Sequence, residues 1–216
     1  MPPDTCLDSA SYHENITPIL AVLRDAFQDL EGHALEVGSG TGQHVVDFAR
    51  EFPGITWWPT DIDPHHLKSI EAWRQYVSLP NLNAPVRLDA SQTDWELGQS
   101  NRPPGDGFVV MVCINVVHIS PWATTAGLLR NAGKYLLPGG LLYLYGPYSR
   151  DGRHTAPSNQ RFDQYLRAQN PAWGVRDIAS IETAGREQGL SLQSVIDMPV
   201  NNVSIILERV SDGAGP

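Results

Sequence analysis

The sequence has 216 residues, of which 41% are hydrophobic, and a formal net charge of −9 at pH 7. This length and composition suit one α/β domain with a well-buried core, and the acidic balance without a basic run argues against a nucleic-acid partner. The two cysteines, Cys6 and Cys113, are too few for a disulfide framework or a thiolate metal site.

The sequence also lacks membrane and export signals. No apolar run reaches the length of a membrane span, and residues 1–8 lack the charged start and apolar middle of a signal peptide. We therefore expect a cytoplasmic protein without a membrane partner.

The predicted elements begin with a helix. Residues 1–10 are rich in proline and small polar residues, which predicts disorder. From Ser11 to Leu30 apolar residues recur on one helical face. We expect a single domain over residues 11–210 and a flexible tail at 211–216.

A glycine-rich loop follows the first predicted strand. Gly38, Gly40 and Gly42 stand at every second position, with Glu36 two residues before the first glycine. Glycine lets the backbone take positive φ and lets a ligand lie against its amides, and the following helix points free N–H groups there. This spacing differs from the G-x-G-x-x-G dinucleotide fingerprint. A plain strand-to-helix turn is the alternative.

Acidic residues also follow the next two predicted strands. Asp61 follows the strand 55–60 and lies about 20 residues after the glycines, where doubly wound folds place a carboxylate that binds both ribose hydroxyls. Ile62 would then pack on the adenine. Asp63 is more often the N-cap of a helix, here predicted at Pro64–Tyr76, and Pro59 suggests an early end to the strand. Asp89, after the strand 84–88, is the third strand-end acid, although a lone Asp there is commonly a turn residue.

The most apolar run, residues 108–114, predicts a central strand buried on both faces. Asn115 follows it at the carboxyl end, the side on which such sheets bind ligands. His118 is a candidate general base, although a buried structural histidine is commoner.

The rest of the chain predicts three further strands and two helices around a polar segment. Residues 147–176 are mostly polar and follow a strand end, so they form a candidate lid with a short helix at 159–168. The other predicted elements are a helix at Trp122–Leu136, a strand at Leu141–Tyr145, a helix at Ile178–Gln188, and strands at Leu190–Asp197 and Val203–Arg209.

With these pieces placed, the sequence resembles the methyltransferase-like 26 proteins, also described as the domain-of-unknown-function 938 family of class I methyltransferases dependent on S-adenosylmethionine (SAM). The motif of an acid followed by G-x-G-x-G resembles motif I of that class. The matching stretches are residues 39–44, 60–63, 115–122, 145–148, 158–159 with 162–163, 173–177 and 198–202.

The resemblance implies a doubly wound, Rossmann-like α/β fold. Its seven-stranded sheet is mostly parallel, with helices on both sides and a C-terminal antiparallel strand pair that a nicotinamide-binding Rossmann domain lacks. It also implies SAM as cofactor, with Asp89 accepting a hydrogen bond from the adenine amino group and the Ala90 amide reading a ring nitrogen. The expected cofactor-binding residues are Glu36, Gly38, Ser39, Gly40, Gly42, Asp61, Ile62, Asp89, Ala90 and Asn115.

Two acceptor chemistries remain open. An anionic or carboxylate-bearing small molecule would need only orientation through hydrogen bonds, from Arg176, Asn159, Asn201, Asn202 and Tyr148. A hydroxyl or amine would need His118 or Tyr148 as proton acceptor. Alternatively, Arg176 is scaffold, paired with Asp163 or Asp177.

The leading hypothesis is therefore a SAM-dependent small-molecule methyltransferase that acts as a monomer or homodimer. A non-catalytic SAM-binding module that works through a protein partner is the alternative, and a nicotinamide oxidoreductase is disfavoured by the glycine spacing. The histidines show no metal-ligand spacing, so we expect no metal.

Overall fold

The computed structural model describes residues 2–99, 103–105 and 107–211. Six α-helices alternate with strands along this part of the chain. The helices are α1 (Ala10–Ala26), α2 (Gln43–Glu51), α3 (Pro64–Val77), α4 (Trp122–Tyr135), α5 (Pro157–Gln169) and α6 (Ile178–Arg186). The strands are β1 (Gly32–Val37), β2 (Ile55–Asp61), β3 (Val86–Arg87), β4 (Phe108–Ile114), β5 (Leu136–Gly146), β6 (Tyr148–Arg150), β7 (Arg153–His154), β8 (Arg176–Asp177), β9 (Leu190–Asp197) and β10 (Val203–Arg209).

Seven strands form one sheet in the order β3-β2-β1-β4-β5-β10-β9. Strand β1 is parallel to β2 and β4, and β2 is parallel to β3. Strand β10 is antiparallel to both β5 and β9. This α/β sheet, mostly parallel with an antiparallel C-terminal pair, confirms the predicted fold class.

The chain divides into two compact units, and each contains large buried side chains. The first unit contains the described residues up to Asp89 and Glu96–Val112, and the second contains Ala90–Trp95 and the described residues from Cys113 onward. In the first unit the large buried side chains include Ile19, Leu23, Phe48 and Trp57, and in the second they include Tyr143, Tyr145, Tyr148 and Ile181.

Several element boundaries differ from the prediction for local reasons. Helix α1 ends at Ala26 rather than Leu30, because Asp29 takes a left-handed φ of 60° that a helix cannot continue. Strand β5 begins at Leu136 rather than Leu141, although its pairing with β10 starts at Leu141. The segment 84–88 contributes only the two residues of β3.

Pro59 lies inside β2, opposite Glu36 of β1, so the expected early strand end was wrong. The adjacent edge strand β3 pairs only with Thr60 and Asp61. The missing N–H of Pro59 therefore breaks no hydrogen bond of that ladder.

The N-terminal segment is anchored at residues that were expected to be disordered. The N–H of Leu7 donates to Ser69 Oγ at 2.8 Å, and the N–H of Ser9 donates to Gln43 Oε1 at 2.8 Å. These contacts correct the expectation of disorder for this part of residues 1–10. Met1 and residues 212–216 of the expected tail lie outside the described residues.

The polar segment 147–176 has a structure of its own. It contains α5 and a three-stranded sheet in the order β7-β6-β8, whose last strand ends at Asp177. Within the described part of the chain, no helix is long and apolar enough to span a bilayer.

Candidate functional site

The glycine loop of the first unit joins β1 to α2, and its three glycines have φ of 71°, 57° and 91°. A Cβ added to Gly40 would meet no atom within 4 Å, so this part of the loop is open to a ligand. A Cβ added to Gly42 would lie 2.9 Å from Ile70 Cα. Packing against α3 therefore explains glycine at position 42, whether or not it also touches a ligand.

Asp61 supports this loop from the end of β2. Its Oδ2 accepts the N–H of Gly40 at 2.8 Å, and its Oδ1 accepts the N–H of Asp63 at 2.9 Å. Nδ1 of His66 lies 3.2 Å from the same Oδ1. A carboxylate has about four lone-pair sites, so Asp61 keeps capacity for the expected ribose hydroxyls.

Glu36 is a buried acid at the start of the loop. Its side-chain Oε2 has no hydrogen-bond partner among the described residues. Burial raises the pKa of Glu36 to about 8, the negative charge of Asp61 adds to the rise, and the Ser39 hydroxyl opposes it. A buried carboxyl with one unpartnered oxygen beside a glycine loop fits a cationic donor such as the ammonium group of SAM.

The other expected cofactor contacts are distributed over both units. In the first unit, Ile62 is 50% exposed, as a residue that packs on a ligand ring requires. Asp63 accepts the N–H of His65 at 2.8 Å, which confirms it as the N-cap of α3. Asp89 is half-buried after β3, at the end of the first unit.

Two expected cofactor residues belong to the second unit. Ala90 is buried and its backbone lies close to α4. A Cβ added to Gly127 of that helix would be only 2.1 Å from the carbonyl oxygen of Ala90. Asn115 has a φ of 60°, and its N–H donates to Tyr145 O at 2.8 Å. Asparagine is among the residues that tolerate this left-handed φ, so the backbone turns sharply at the end of β4.

Sequence reasoning missed Gln43, the first residue of α2. Its Nε2 donates to Asp8 Oδ1 at 2.7 Å, while its Oε1 accepts from Ser9 N and from Thr41 Oγ1. Gln43 therefore ties the N-terminal segment to the glycine loop. A glutamine at a helix start carries no local signal for this role, because its partners are decided by the fold.

A small cavity of about 220 Å³ lies in the first unit beside α1 and α2. The Tyr12 hydroxyl at its wall hydrogen-bonds to the carboxylate of Asp47. His44 is half-buried with its Nε2 shielded from solvent, and its ring meets Tyr12 edge-on at 5.1 Å. These aromatic contacts favour a structural role for His44.

In the second unit, His118 and Tyr148 form an unusual buried pair. Both are fully buried, and their rings meet edge-on with centroids 4.8 Å apart. Neither ring nitrogen of His118 nor the hydroxyl of Tyr148 has a hydrogen-bond partner among the described residues. Burial lowers the pKa of His118 to about 3, with a further contribution from the charge of Arg176, so the imidazole is neutral at pH 7.

Arg176 does not pair with Asp163 or Asp177. Its Nε donates to Val117 O at 2.9 Å, and its Nη2 donates to Ser120 O at 2.5 Å and to Ala172 O at 3.1 Å. Backbone carbonyls therefore take the place of both expected carboxylate partners. The guanidinium connects two loops of the chain.

Two of the three candidate asparagines contact each other. Asn159 Nδ2 donates to Asn201 O at 2.8 Å, and Asn201 Nδ2 donates to Ser158 Oγ at 3.1 Å. Asn202 Nδ2 donates to the hydroxyl of Tyr145 at 3.0 Å. The structure thus brings Asn159 and Asn201 together, while Asn202 has a different partner.

The sequence suggested Asp163 as a carboxylate partner of Arg176, and the structure gives it different partners. It is buried on α5, where its Oδ1 accepts the N–H of Val175 at 2.8 Å and its Oδ2 accepts Arg167 Nε at 2.9 Å. It therefore holds the residue immediately before Arg176.

Residues 8–209 match the family described as "Protein of unknown function (DUF938)". The chain belongs to the DUF938 family. Several solved structures share the fold of this DUF938 chain. The apo S-adenosylmethionine-dependent methyltransferase SibL is 19% identical, with a TM-score of 0.74 over 94% of this chain and 56% of SibL.

Two other solved structures are similar. PigF with SAH is 14% identical, with a TM-score of 0.72 over 91% of this chain and 56% of PigF. An O-methyltransferase family protein from Burkholderia thailandensis is 14% identical, with a TM-score of 0.72 over 94% of this chain and 59% of that protein. The DUF938 chain therefore spans little more than half the length of these proteins, and the likeness shows the shared fold.

Proposed function

We propose that this protein is a SAM-dependent methyltransferase acting on a small-molecule acceptor. The observation that carries the proposal is the glycine loop, where the open side of Gly40, the unpartnered Oε2 of Glu36 and the carboxylate of Asp61 occur together. The open side of Gly40 suits a ligand that approaches the backbone closely. Glu36 suits an ammonium group, and Asp61 suits the hydroxyls of a ribose.

When bound, SAM supplies a methyl group already activated by the sulfonium. The residues of the chain then have to bind SAM and orient the acceptor. Asp61 would accept from the ribose hydroxyls, Glu36 would accept from the ammonium group, and Ile62 would cover the adenine. Ser39, Gly38, Asp89, Ala90 and Asn115 complete the proposed cofactor contacts.

Small-molecule specificity is supported by the net charge of −9, which disfavours nucleic acid. The similar solved structures include an O-methyltransferase family protein. Our narrower proposals are membership of the methyltransferase-like 26 group, a cytoplasmic location and a monomer or homodimer. A carboxylate-bearing acceptor was expected to use the guanidinium of Arg176, whose three contacts to backbone carbonyls now weigh against that role.

Two measurements test this function. Calorimetry with SAM, S-adenosylhomocysteine and NAD should show binding of the first two only. Incubation with SAM and a metabolite extract should release S-adenosylhomocysteine. SAM binding without any such release would favour the non-catalytic module, and NAD binding would favour an oxidoreductase.

A further inference from the structure

Residues 7–9 form a short segment directly in front of α1, which we call the N-terminal strap. The N–H of Leu7 donates to Ser69 Oγ of α3 at 2.8 Å. The N–H of Ser9 donates to Gln43 Oε1 of α2 at 2.8 Å. Two side chains from other elements of the first unit therefore hold the strap, one at each end.

The same two side chains also hold the glycine loop. Ser69 Oγ donates to Thr41 O at 2.7 Å, and Thr41 Oγ1 donates to Gln43 Oε1 at 3.0 Å. Thr41 stands between Gly40 and Gly42 in the loop. Ser69 and Gln43 therefore each join the strap to the middle of the glycine loop.

The partners of both side chains fix which atoms donate and which accept. The N–H of Ser9 can only donate and the ionised carboxylate of Asp8 can only accept. Gln43 must therefore direct its oxygen to Ser9 and its Nε2 to Asp8, which lies 2.7 Å away. Ser69 accepts a hydrogen bond from the strap and donates one to the loop. Hydrogen bonds linked in this way polarise and strengthen one another.

Burial makes these links hard to break one at a time. Gln43 is 5% exposed and Ser69 is 1% exposed. A buried polar group that loses its partner keeps the cost of having left water. Detachment of the strap would take two partners from Gln43 and one from Ser69. A side chain that moved to find new partners would release Thr41, so the position of the strap and the conformation of the loop depend on each other.

Other residues hold the loop on either side of Thr41. Asp61 accepts the N–H of Gly40, and Gly42 packs against Ile70, the neighbour of Ser69 in α3. The contacts made by Ser69 and Gln43 add the position between these two glycines. The strap therefore acts on the part of the loop whose open side suits a ligand.

We infer that Gln43 and Ser69 are positioning residues for the cofactor, which use the N-terminal strap to keep the glycine loop in the conformation that binds SAM. The inference rests on the proposed function. A loop that is already ordered loses less conformational freedom when a ligand binds. Loss of the strap contacts should therefore weaken SAM binding. Every residue in this argument belongs to the first unit.

The first test measures SAM affinity in Gln43→Met, with Gln75→Met as the matched control. Methionine keeps the length of the side chain and removes its hydrogen bonds. Gln75 is exposed on α3, where its Nε2 donates to Glu71 Oε1 at 2.6 Å. By calorimetry we expect the Kd for SAM to rise about fivefold to tenfold in Gln43→Met, the equivalent of one net hydrogen bond. The control should change by less than about twofold, as is usual for an exposed side chain.

Kinetics should show the same pattern. Removal of binding alone raises KM and leaves kcat. With a metabolite extract as the source of acceptor, the KM for SAM in Gln43→Met should rise by the same factor as the Kd, and kcat should fall by less than about twofold. Ser69→Ala removes the other link between strap and loop, and we expect an effect of similar size on both constants.

Hydrogen exchange of the SAM-free protein distinguishes positioning from a general loss of stability. The N–H groups of Gly40 and Gly42 are hydrogen-bonded, so their exchange reports opening of the loop. We expect both to exchange about fivefold to tenfold faster in Gln43→Met. Residues 110–112 of β4, in the same unit, should keep their rates, and Gln75→Met should change neither group.

A variant outside the loop tests whether the effect passes through the strap. Trp73 Nε1 of α3 donates to Leu7 O at 3.0 Å, and Trp73→Phe removes this hydrogen bond. We expect faster exchange in the loop of this variant as well. Because coupling between two sites is reciprocal, SAM should slow exchange of the Leu7 and Ser9 amides in the unmodified protein. If Gln43→Met does not fold, Ser69→Ala and Trp73→Phe decide.

Two results would overturn the inference. One is unchanged SAM affinity in Gln43→Met, and the other is an equal acceleration of exchange in the loop and in residues 110–112. Failure of the unmodified protein to bind SAM would overturn the proposed function, and with it the cofactor part of this inference. Exchange in the SAM-free protein would then still decide whether the strap holds the loop.

Discussion

The carboxylate of Asp61 accepts the backbone N–H of Gly40 at 2.8 Å, across 21 positions of sequence. The acid at the end of β2 therefore shapes the glycine loop after β1. In the proposed function the same carboxylate binds the ribose, so loop geometry and ligand binding depend on one side chain.

Replacement of Asp61 should separate these two roles. Asp61→Asn keeps one oxygen acceptor for the loop but loses the charge, and hydrogen bonds to a charged group contribute about 1.5–3 kcal/mol. We expect SAM affinity to fall at least about tenfold with little change in stability. Asp61→Ala should weaken SAM binding further and lower stability by about 1 kcal/mol, because the N–H of Gly40 loses its acceptor. Calorimetry and urea unfolding measure both effects, and unchanged SAM affinity in both variants would contradict the ribose assignment.

Two glycine variants should differ in what they damage. Gly42→Ala places a Cβ 2.9 Å from Ile70 Cα at a φ of 91°, so we expect a loss of about 1–3 kcal/mol in unfolding free energy. Gly40→Ala meets no atom within 4 Å and should cost only about 1 kcal/mol, from the left-handed backbone. Its main effect should be weaker SAM binding. Equal stability losses, with SAM affinity unaffected by Gly40→Ala, would show that the open side of Gly40 is not used.

Glu36 predicts that the SAM-free protein loses stability as the pH rises. Its pKa is raised from 4.5 to about 8, so between these values the folded protein binds more protons than the unfolded chain. The contribution of Glu36 to the free energy of unfolding is fully present below pH 4.5. It decreases as the pH rises through this window, with a slope approaching about 1.4 kcal/mol per pH unit for one linked proton. Glu36→Gln, which stays neutral, should remove this slope in urea unfolding measured at several pH values. An unchanged slope in the variant would show that Glu36 is already ionised.

His118 predicts the opposite dependence at acid pH. Its pKa falls from 6.5 to about 3, so the unfolded chain binds more protons than the folded protein between these values. The contribution of His118 to the free energy of unfolding is fully present above pH 6.5, and it decreases as the pH falls through this window. His118→Phe keeps a ring against Tyr148 and should flatten this part of the profile. If the variant has the same acid sensitivity as the unmodified protein, another group is responsible.

The element order could be predicted from the sequence to a large extent. The strands β9 and β10 and the N-cap Asp63 follow the prediction, because alternation and capping depend on residues only a few positions apart. Pro59 was misjudged because its tolerance depends on how far the neighbouring edge strand extends.

The site residues were harder to predict than the fold. The sequence singled out Arg176, but not the carbonyls of Val117 and Ser120 that it contacts, which lie 59 and 56 positions away. Nothing local distinguishes an arginine that binds an anion from one that binds backbone. The same holds for Gln43, whose partner Asp8 lies 35 positions away.

The sequence by itself determined the strand, glycine loop and helix around residues 36–43, because backbone freedom and hydrophobic periodicity act within one turn or strand. Only the tertiary structure decided that Glu36 is buried with its Oε2 unpartnered among the described residues, that His118 meets Tyr148, and that Arg176 donates to the turn that contains His118. Burial and hydrogen-bond partners across dozens of residues arise when separate elements pack, and no local pattern specifies them.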